Sequence, residues 1–194
     1  MERLFALLLL ILFSPLLAIL YIIVKLTYNG PFLFKQLRIG KDKKPFWIYK
    51  IRTMVEDAEK LKEKFRHLNQ ADGPVFKIYN DPRFTPIGRI IARFGLDELP
   101  QLINVVKGEM NFVGPRPFPI DEAKKIPKKY EIRFSVKPGI FSSWVASGAF
   151  HNNFKKWMEL DLMDVKNKSF WYDLKIIIKS VEFVLRLVIK NIKN

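Results

Sequence analysis

Two adjacent carboxylates, Asp97 and Glu98, are the residues of this sequence best suited to carry chemistry. They precede Pro100 in the run LDELPQLINVV, which is typical of the start of a helix, so both acids are predicted to lie at a helix N-terminus. Free N–H groups at such an end bind phosphate, and adjacent carboxylates bind a hard cation such as Mg²⁺. Because consecutive helical residues point about 100° apart, the two acids are expected to have different roles. The residues leave open the alternative that both acids only cap the helix.

Four basic residues are candidates for binding phosphate. Arg116 lies between two prolines in the sequence GPRP, and a guanidinium on such a stiff loop suits bidentate binding of a phosphate. Lys50 and Arg52 lie in a predicted strand, and Arg83 follows a DP turn signal. For each of the four, the alternative is an ordinary exposed basic residue.

The composition narrows the classes of partner and cofactor. The chain has 34 Lys and Arg against 19 Asp and Glu, and this net charge of +15 suits nucleic acid, anionic lipid or a phosphorylated substrate. No nucleic-acid-binding motif accompanies the charge, so nucleic acid is not an expected partner. The absence of cysteine excludes disulfides and thiolate sites, and with two histidines a zinc site built on several histidines is not expected.

An uncharged stretch of 21 residues from Leu4 to Val24 predicts a membrane element. As a straight helix it would be about 31 Å long, enough for the hydrocarbon core, and it is too long for a signal peptide. Ser14 and Pro15 lie in its middle, where proline breaks a hydrogen bond and serine satisfies the freed carbonyl. The residues alone leave open whether this kinked helix spans the membrane or leaves on the face it entered. The lysines and arginines that follow predict that the remainder lies on the cytoplasmic face.

The rest of the chain is predicted to form one compact domain. The runs FLFKQLRIG and PFWIYKIRTM predict a β-hairpin, residues 54–69 a charged helix, and residues 86–94 a second helix. Residues 173–190 predict a basic amphipathic helix, which either packs on the core or lies in the membrane interface.

Beyond these patterns, the chain resembles the bacterial sugar transferase family, the monotopic phosphoglycosyl transferases that begin the assembly of bacterial glycans. The resemblance runs nearly end to end, through the Ser14-Pro15 break and the runs GPFLFKQLRIG, FWIYKIRTM, GPVFKIYNDPRFTPIGR, LDELPQLINVVKGEMNFVGPRP, VKPGI and DLKI. The long, ordered block from LDELPQ to VGPRP makes a chance match untenable.

The resemblance implies a function and a set of roles. It implies transfer of a sugar-1-phosphate from a nucleotide diphosphate-sugar, with UDP the expected nucleotide, to a polyprenol (undecaprenyl) phosphate. Asp97 matches the family's nucleophile, Glu98 its second acid, and Lys50 and Arg116 match positions near substrate phosphate. Mg²⁺ is the implied cofactor, and the bacterial cytoplasmic membrane the implied location.

The resemblance also decides the expected fold. It favours a re-entrant helix kinked at Ser14-Pro15 over residues 1–26, followed by a catalytic domain over residues 27–194. The expected fold class is therefore α+β and predominantly helical, with a small β-hairpin, the re-entrant membrane helix and interfacial amphipathic helices. Neither the residues nor the resemblance specifies the sugar, the downstream glycan or the oligomeric state.

Three departures from the family pattern bear on these expectations. Ala6 stands where many relatives carry an aspartate, so a polar contact between the anchor and the domain is expected to be missing. The usual PGITGL-x-QVSGR becomes PGIFSSWVASGA, which places Phe141, Ser142, Ser143, Val145 and Ala149 in a loop that is expected to bear on donor selection. The chain is also expected to be the minimal form of the family, without a large N-terminal membrane domain.

The altered loop supports one alternative, a non-catalytic scaffold or degenerate paralogue that binds polyprenol-linked intermediates. Retention of both acids and of Arg116 opposes it.

Overall fold

The computed structural model describes residues 1–149 and 151–192, and it confirms a predominantly helical α+β chain with small sheets. The α-helices are α1 (Glu2–Leu12), α2 (Ser14–Thr27), α3 (Leu61–Lys64), α4 (Pro86–Arg93), α5 (Leu102–Lys107), α6 (Ile120–Ala123), α7 (Ser143–Ala146), α8 (Phe154–Lys166) and α9 (Phe170–Ile192). The strands are β1 (Leu33–Ile39), β2 (Pro45–Ile51), β3 (Asn111–Val113) and β4 (Gly139–Phe141). Shorter 3₁₀ helices lie at Lys41–Lys43, Arg66–Leu68, Leu96–Gln101 and Lys128–Phe134.

The N-terminal helix is broken where the sequence predicts. Helices α1 and α2 meet at Phe13 and are bent by 54°. Pro15 has no N–H to donate to the carbonyl of Ile11, and the Ser14 hydroxyl donates to that carbonyl instead, at 2.7 Å. Within the described residues no single helix is long and apolar enough to cross a membrane, whereas α1 and α2 together meet that test by length and composition.

The predicted β-hairpin is confirmed, and it carries one of the candidate site residues. Strands β1 and β2 pair antiparallel, with Leu33 opposite Ile51. Alternation along β2 places Lys50 on the same face as the buried residues Phe46 and Ile48. Lys50 is therefore held at the edge of the core. The second sheet is the parallel pair of β3 and β4.

Both N-terminal helices pack on the rest of the molecule. Ala6 of α1 is fully buried, in an apolar cluster with Val105 of α5 and Ile176 of α9. Val24 of α2 is buried with Ile51 of β2 in a second cluster. The contact between α1 and the domain is thus apolar at Ala6, the position where the sequence predicts that a polar contact is missing.

The predicted helix over residues 54–69 is wrong for most of its length. Residues 56–60 form turns, and only Leu61–Lys64 is α-helical. The carbonyl of Ala58 accepts a hydrogen bond from the guanidinium of Arg83 at 2.8 Å, and the Val55 N–H donates to the Arg83 carbonyl. The bond from Arg83 occupies the Ala58 carbonyl, which a continuous helix would need as acceptor for the N–H of Lys62.

The predicted amphipathic helix near the C-terminus is confirmed as α9. It buries Ile176 and Ser180 against the domain. On its opposite side an apolar stripe is exposed, formed by Leu174, Ile178, Val181 and Leu185. The helix therefore packs on the core and also presents an unpartnered apolar face.

Candidate active site

Asp97 and Glu98 lie in the first turn of a 3₁₀ helix, Leu96–Gln101, which runs directly into α5. The acids therefore lie at a helix N-terminus, as the sequence predicts, and the first turn there is 3₁₀ rather than α-helical. Pro100 cannot donate to a carbonyl, and the N–H of Glu98 bonds three residues back to Gly95 at 3.2 Å, the 3₁₀ pattern. Gly95 supplies the left-handed backbone (φ 69°) from which this helix begins.

Four of the predicted site residues converge. The ammonium of Lys50 lies 2.8 Å from Glu98 Oε1 and 3.2 Å from Asp97 Oδ2. The guanidinium of Arg116 lies 2.6 Å from the same Glu98 Oε1. Glu98 is thus held by two cations and Asp97 by one. Among the described residues, no hydrogen bond reaches the other oxygen of Asp97, Oδ1.

The surroundings make the two acids electrostatically different. Burial raises the pKa of Asp97, and the negative charge of Glu98 adds to the effect, although Lys50 opposes it. Burial also acts to raise the pKa of Glu98. Arg116 and Lys50 together outweigh this effect and hold the pKa of Glu98 well below its ordinary value. Glu98 is therefore a fixed anion that orders the two cations, and Asp97 is the more basic carboxylate.

Asn104, which is fully buried, holds the acid-bearing segment against the strand that carries Lys50. Its Nδ2 donates to the carbonyl of Trp47 at 2.6 Å and to Glu109 at 2.8 Å, and its Oδ1 accepts from the N–H of Tyr49 at 3.2 Å. This one side chain therefore bonds both the carbonyl of Trp47 and the N–H of Tyr49, which lie in β2 close to Lys50. This brace fixes the spacing between Lys50 and the acids.

The loop that carries Arg116 is also braced, by a buried ion pair. Arg133 donates to Asp161 at 2.9 Å and to the backbone carbonyl of Arg116 at 2.6 Å, and both Arg133 and Asp161 are buried. Arg38 donates to the carbonyl of the next residue, Pro117, at 2.6 Å. The flanking prolines stiffen this loop, and two arginines hold its carbonyls.

These residues line a cleft of about 370 Å³. Lys50, Arg52, Arg83, Asp97, Glu98 and Arg116, the six predicted site residues, all contribute to its wall. Arg52 donates to the carbonyl of Pro31, just beyond the end of α2, at 3.0 Å. Arg83 is buried and held by Asp81 at 2.6 Å, so a phosphate would have to compete with Asp81 for it. The proposed roles of Arg52 and Arg83 stay predictions.

Sequence reasoning missed several residues of this cleft. Lys77 and Arg38 also line it. Burial lowers the pKa of Arg38 to about 10, with Arg116 contributing in the same direction. Lys77 lies in the run GPVFKIYNDPR, which carries part of the family resemblance. The bracing residues Asn104 and Arg133 carry no local signal, because their partners lie far away in sequence.

The altered loop PGIFSSWVASGA is well packed. Ser142 caps α7 by accepting from the N–H of Val145, and Ser143 donates to Asp164 of α8 at 2.5 Å. Trp144 stacks on Trp157, with ring centroids 4.0 Å apart, and lies beneath the guanidinium of Arg116 at 5.9 Å. Trp144 therefore connects this loop to Arg116 of the cleft, and the substituted residues Ser142 and Ser143 fix the loop itself.

The acids fit a magnesium ion that is completed by substrate. Both offer carboxylate oxygens, the ligands Mg²⁺ prefers, and the described residues hold no group of three or more potential metal ligands. Mg²⁺ commonly binds through one or two carboxylates together with substrate phosphates. The donor set suits that arrangement.

Comparison with known proteins identifies the family to which this arrangement belongs. Residues 1–187 match the family described as bacterial sugar transferase. The chain belongs to that family. The resemblance inferred from the sequence motifs is thereby confirmed.

Several curated relatives have informative names. The chain is 40% identical over 158 residues to a galactosyl transferase of Streptococcus agalactiae, covering 81% of this chain and 35% of the relative. It is 36% identical over 184 residues to a UDP-glucose:undecaprenyl-phosphate glucose-1-phosphate transferase of Escherichia coli, and the match covers 91% of this chain and 37% of the relative. It is 34% identical over 179 residues to an exopolysaccharide production protein of Rhizobium meliloti, covering 90% and 79%. The chain thus spans little more than a third of the first two relatives and most of the third.

Proposed function

We propose that this protein transfers a sugar-1-phosphate from a nucleotide diphosphate-sugar, UDP being the expected nucleotide, to polyprenol phosphate. The observation that carries the proposal is the asymmetric acid pair. No hydrogen bond from the described residues reaches Oδ1 of Asp97, while Glu98 holds Lys50 and Arg116 beside it. A basic carboxylate next to two ordered cations suits attack on a phosphate. The name of the Escherichia coli relative, which specifies UDP-glucose and undecaprenyl phosphate, supports the substrate classes.

The proposed reaction has two steps. In the first, Asp97 Oδ1 attacks the phosphorus that bears the sugar, and a bond forms between the carboxylate oxygen and phosphorus. The bond from that phosphorus to the bridging oxygen breaks, and the nucleoside monophosphate leaves with the electron pair. In the second, an oxygen of polyprenol phosphate attacks the same phosphorus and restores the carboxylate of Asp97. The product is a polyprenyl diphosphate-sugar, and a covalent step of this kind divides one difficult transfer into two easier ones.

Mg²⁺ is the proposed cofactor, held by Asp97 and Glu98 together with phosphate oxygens of the substrate. When bound, it neutralises phosphate charge and so reduces the repulsion that an attacking carboxylate meets. Lys50 and Arg116 act on the same charge from the protein side. Glu98 already orders the ammonium of Lys50 and the guanidinium of Arg116, so these groups reorganise little when the substrate binds.

We further propose that the protein lies on the cytoplasmic face of the bacterial inner membrane, with α1 and α2 as a re-entrant element. The exposed apolar residues of α1 and α2, and the exposed stripe of α9, support a membrane-seated protein. A cysteine inserted after Met1 tests the topology, since the chain has no other. Labelling from the cytoplasmic side is expected, and labelling only from the periplasmic side would establish a spanning helix instead.

The activity is tested by nucleotide release from detergent-purified full chain. The protein is incubated with Mg²⁺, undecaprenyl phosphate and a panel of UDP-sugars, with Asp97→Asn as the matched variant. Release of UMP with one sugar, abolished in Asp97→Asn, is expected and would name the donor. Full turnover by Asp97→Asn would exclude Asp97 as the nucleophile, because an amide cannot form the proposed ester. If the folded wild-type protein releases no nucleotide from UDP-, GDP- or CDP-sugars, that result would favour the scaffold alternative.

A further inference from the structure

Among the residues that the structure describes, one cation of the cleft differs from the others in having no partner for its charged group. The paired ones are Arg38, Lys50, Arg52, Lys62, Arg83 and Arg116, each bonded to a carboxylate, an amide or a backbone carbonyl. Lys77 lines the same cleft, yet within residues 1–149 and 151–192 its ammonium makes no hydrogen bond, ion pair or ring contact. A half-buried charge without a partner is costly, so this lysine is a candidate for binding an anionic ligand.

The backbone of Lys77 is fixed, so the free ammonium does not reflect a loose segment. Its N–H donates to Asn69 Oδ1 at 2.8 Å, and its carbonyl accepts from the N–H of Gln70 at 2.8 Å. Asn69 also donates to the carbonyl of Val75 at 3.2 Å. On either side, Val75 and Ile78 are buried. The segment is thus a built wall of the cleft from which Lys77 extends.

The electrostatic surroundings of Lys77 place it near the reacting groups without bonding it to them. Burial, followed by the charges of Arg116 and Lys50, lowers the pKa of Lys77, while Asp97 and Asp81 oppose that shift. The adjacent imidazole of His151 is kept neutral, because burial and the charge of Lys77 lower its pKa to about 3. Lys77 therefore faces other cations, and a bound anion would relieve this repulsion.

We infer that Lys77 binds the donor phosphate that leaves with the nucleoside, and so also the nucleoside monophosphate product. The inference rests on the proposed function. On that proposal, the phosphorus attacked by Asp97 would lie against Lys50 and Arg116, whose charges already pair with Glu98. The second phosphate of the donor would be one bridging oxygen away. Among the described cations that line the cleft, Lys77 is the one whose charged group has no partner. Its charge would also stabilise the phosphate as the bridging bond breaks.

Binding of UMP to the detergent-purified full chain, measured by calorimetry with CMP, AMP and GMP in parallel, tests this assignment. Lys77→Met is expected to weaken binding of the preferred monophosphate by about 10- to 100-fold, the range for a charge-assisted hydrogen bond. Lys77→Arg should retain most of the affinity. Lys60→Met is the matched control, because Lys60 is exposed and pairs only with Asp57. Should Lys77→Met fold poorly, Lys77→Gln replaces it.

Kinetics separate this inference from the proposed function. Lys77→Met should raise KM for the donor and leave KM for polyprenol phosphate nearly unchanged. If folded Lys77→Met or Lys77→Gln binds the monophosphate as tightly as wild type, or loses affinity for the acceptor instead, the assignment is wrong even though turnover persists. If wild type neither binds nucleotides nor turns over, the proposed function fails, and the Lys77 assignment fails with it.

Discussion

At the scale of single residues, the adjacent acids Asp97 and Glu98 differ in their charged partners and in the direction of their pKa shifts. Asp97 and Glu98 share a turn, but two cations bind Glu98 and one binds Asp97. The pKa of Glu98 is held low by Arg116 and Lys50 in spite of its burial, whereas burial raises that of Asp97. One acid is thereby suited to order its surroundings and the other to react.

This asymmetry predicts different outcomes for the two amide variants. Glu98→Gln removes the anion that orders Lys50 and Arg116 but leaves Asp97 able to react. We expect kcat/KM to fall by about 10²- to 10³-fold, with the covalent intermediate still forming, as when an ordered electrostatic group is lost. Steady-state kinetics and a single-turnover assay without acceptor measure the two effects. Wild-type kinetics for Glu98→Gln would contradict the role assigned to it.

His151 provides a prediction on stability and pH. Burial lowers its folded pKa from 6.5 to about 3, so between these values the unfolded chain binds a proton that the folded chain does not. Unfolding is therefore favoured as the pH falls from about 6.5 towards 3, and the contribution vanishes above 6.5. Denaturant titrations should show a smaller loss of stability on acidification in His151→Gln than in wild type. His67, which is exposed, supplies the control variant His67→Gln, and equal acid sensitivity of all three proteins would contradict this account.

At the scale of secondary-structure elements, the site depends on braces between segments that are far apart in sequence. Asn104 joins α5 to β2, and Arg133 joins the Arg116 loop to α8 through Asp161. Neither brace contacts the cleft's free carboxylate oxygen directly. They act by fixing the backbones from which Lys50, Asp97 and Arg116 extend.

Removing one brace should therefore affect stability and activity together. Asn104→Ala leaves the Trp47 carbonyl and the Tyr49 N–H without their partner, and we expect a loss of about 2 kcal/mol or more in the free energy of unfolding. Asn111→Ala, at a half-buried asparagine in β3, serves as the comparison. Denaturant unfolding measures both variants, and an Asn104→Ala protein as stable as wild type would show that the brace is dispensable.

The elements that sequence reasoning predicted correctly are those specified locally. The β1–β2 hairpin, the break at Pro15 and helix α9 each follow from residues within one short window. The helix predicted over residues 54–69 failed because Arg83, 25 residues from Ala58, takes a carbonyl that the helix would have used. Local motifs predicted the acids, Lys50 and Arg116 as separate site residues, but their contacts with one another join positions 18 to 48 residues apart. Asn104, Arg133 and Lys77 depend on long-range packing that one sequence does not reveal.

At the scale of the whole molecule, the apolar surface is concentrated on a few helices. Leu8 and Ile11 of α1, Ile22 of α2, and Ile178 and Leu185 of α9 are at least half exposed. Helices α1 and α9 pack on the same apolar cluster, so the two exposed surfaces belong to one rigid core. The net charge of +15 adds attraction to an anionic leaflet.

The exposed stripe of α9 is expected to contribute to membrane seating. Ile178→Asp combined with Leu185→Asp places two charges on that stripe without entering the core. We expect weaker retention on vesicles of phosphatidylglycerol and phosphatidylethanolamine, with circular dichroism unchanged. Lys179→Asp with Glu182→Lys, which keeps the apolar stripe, is the control. Equal retention of the stripe variant and wild type would show that α9 does not seat the protein.

The central claim is that Asp97 becomes covalently bonded to the sugar-phosphate, and intact-protein mass spectrometry tests it most directly. Wild type, Asp97→Asn and Glu98→Gln are each incubated with Mg²⁺ and the donor, without polyprenol phosphate. We expect a mass increase of one sugar-phosphate in wild type, located at Asp97 by peptide mapping, removed on adding acceptor and absent from Asp97→Asn. Turnover by wild type with no such adduct, or an adduct that maps to another residue, would contradict the account.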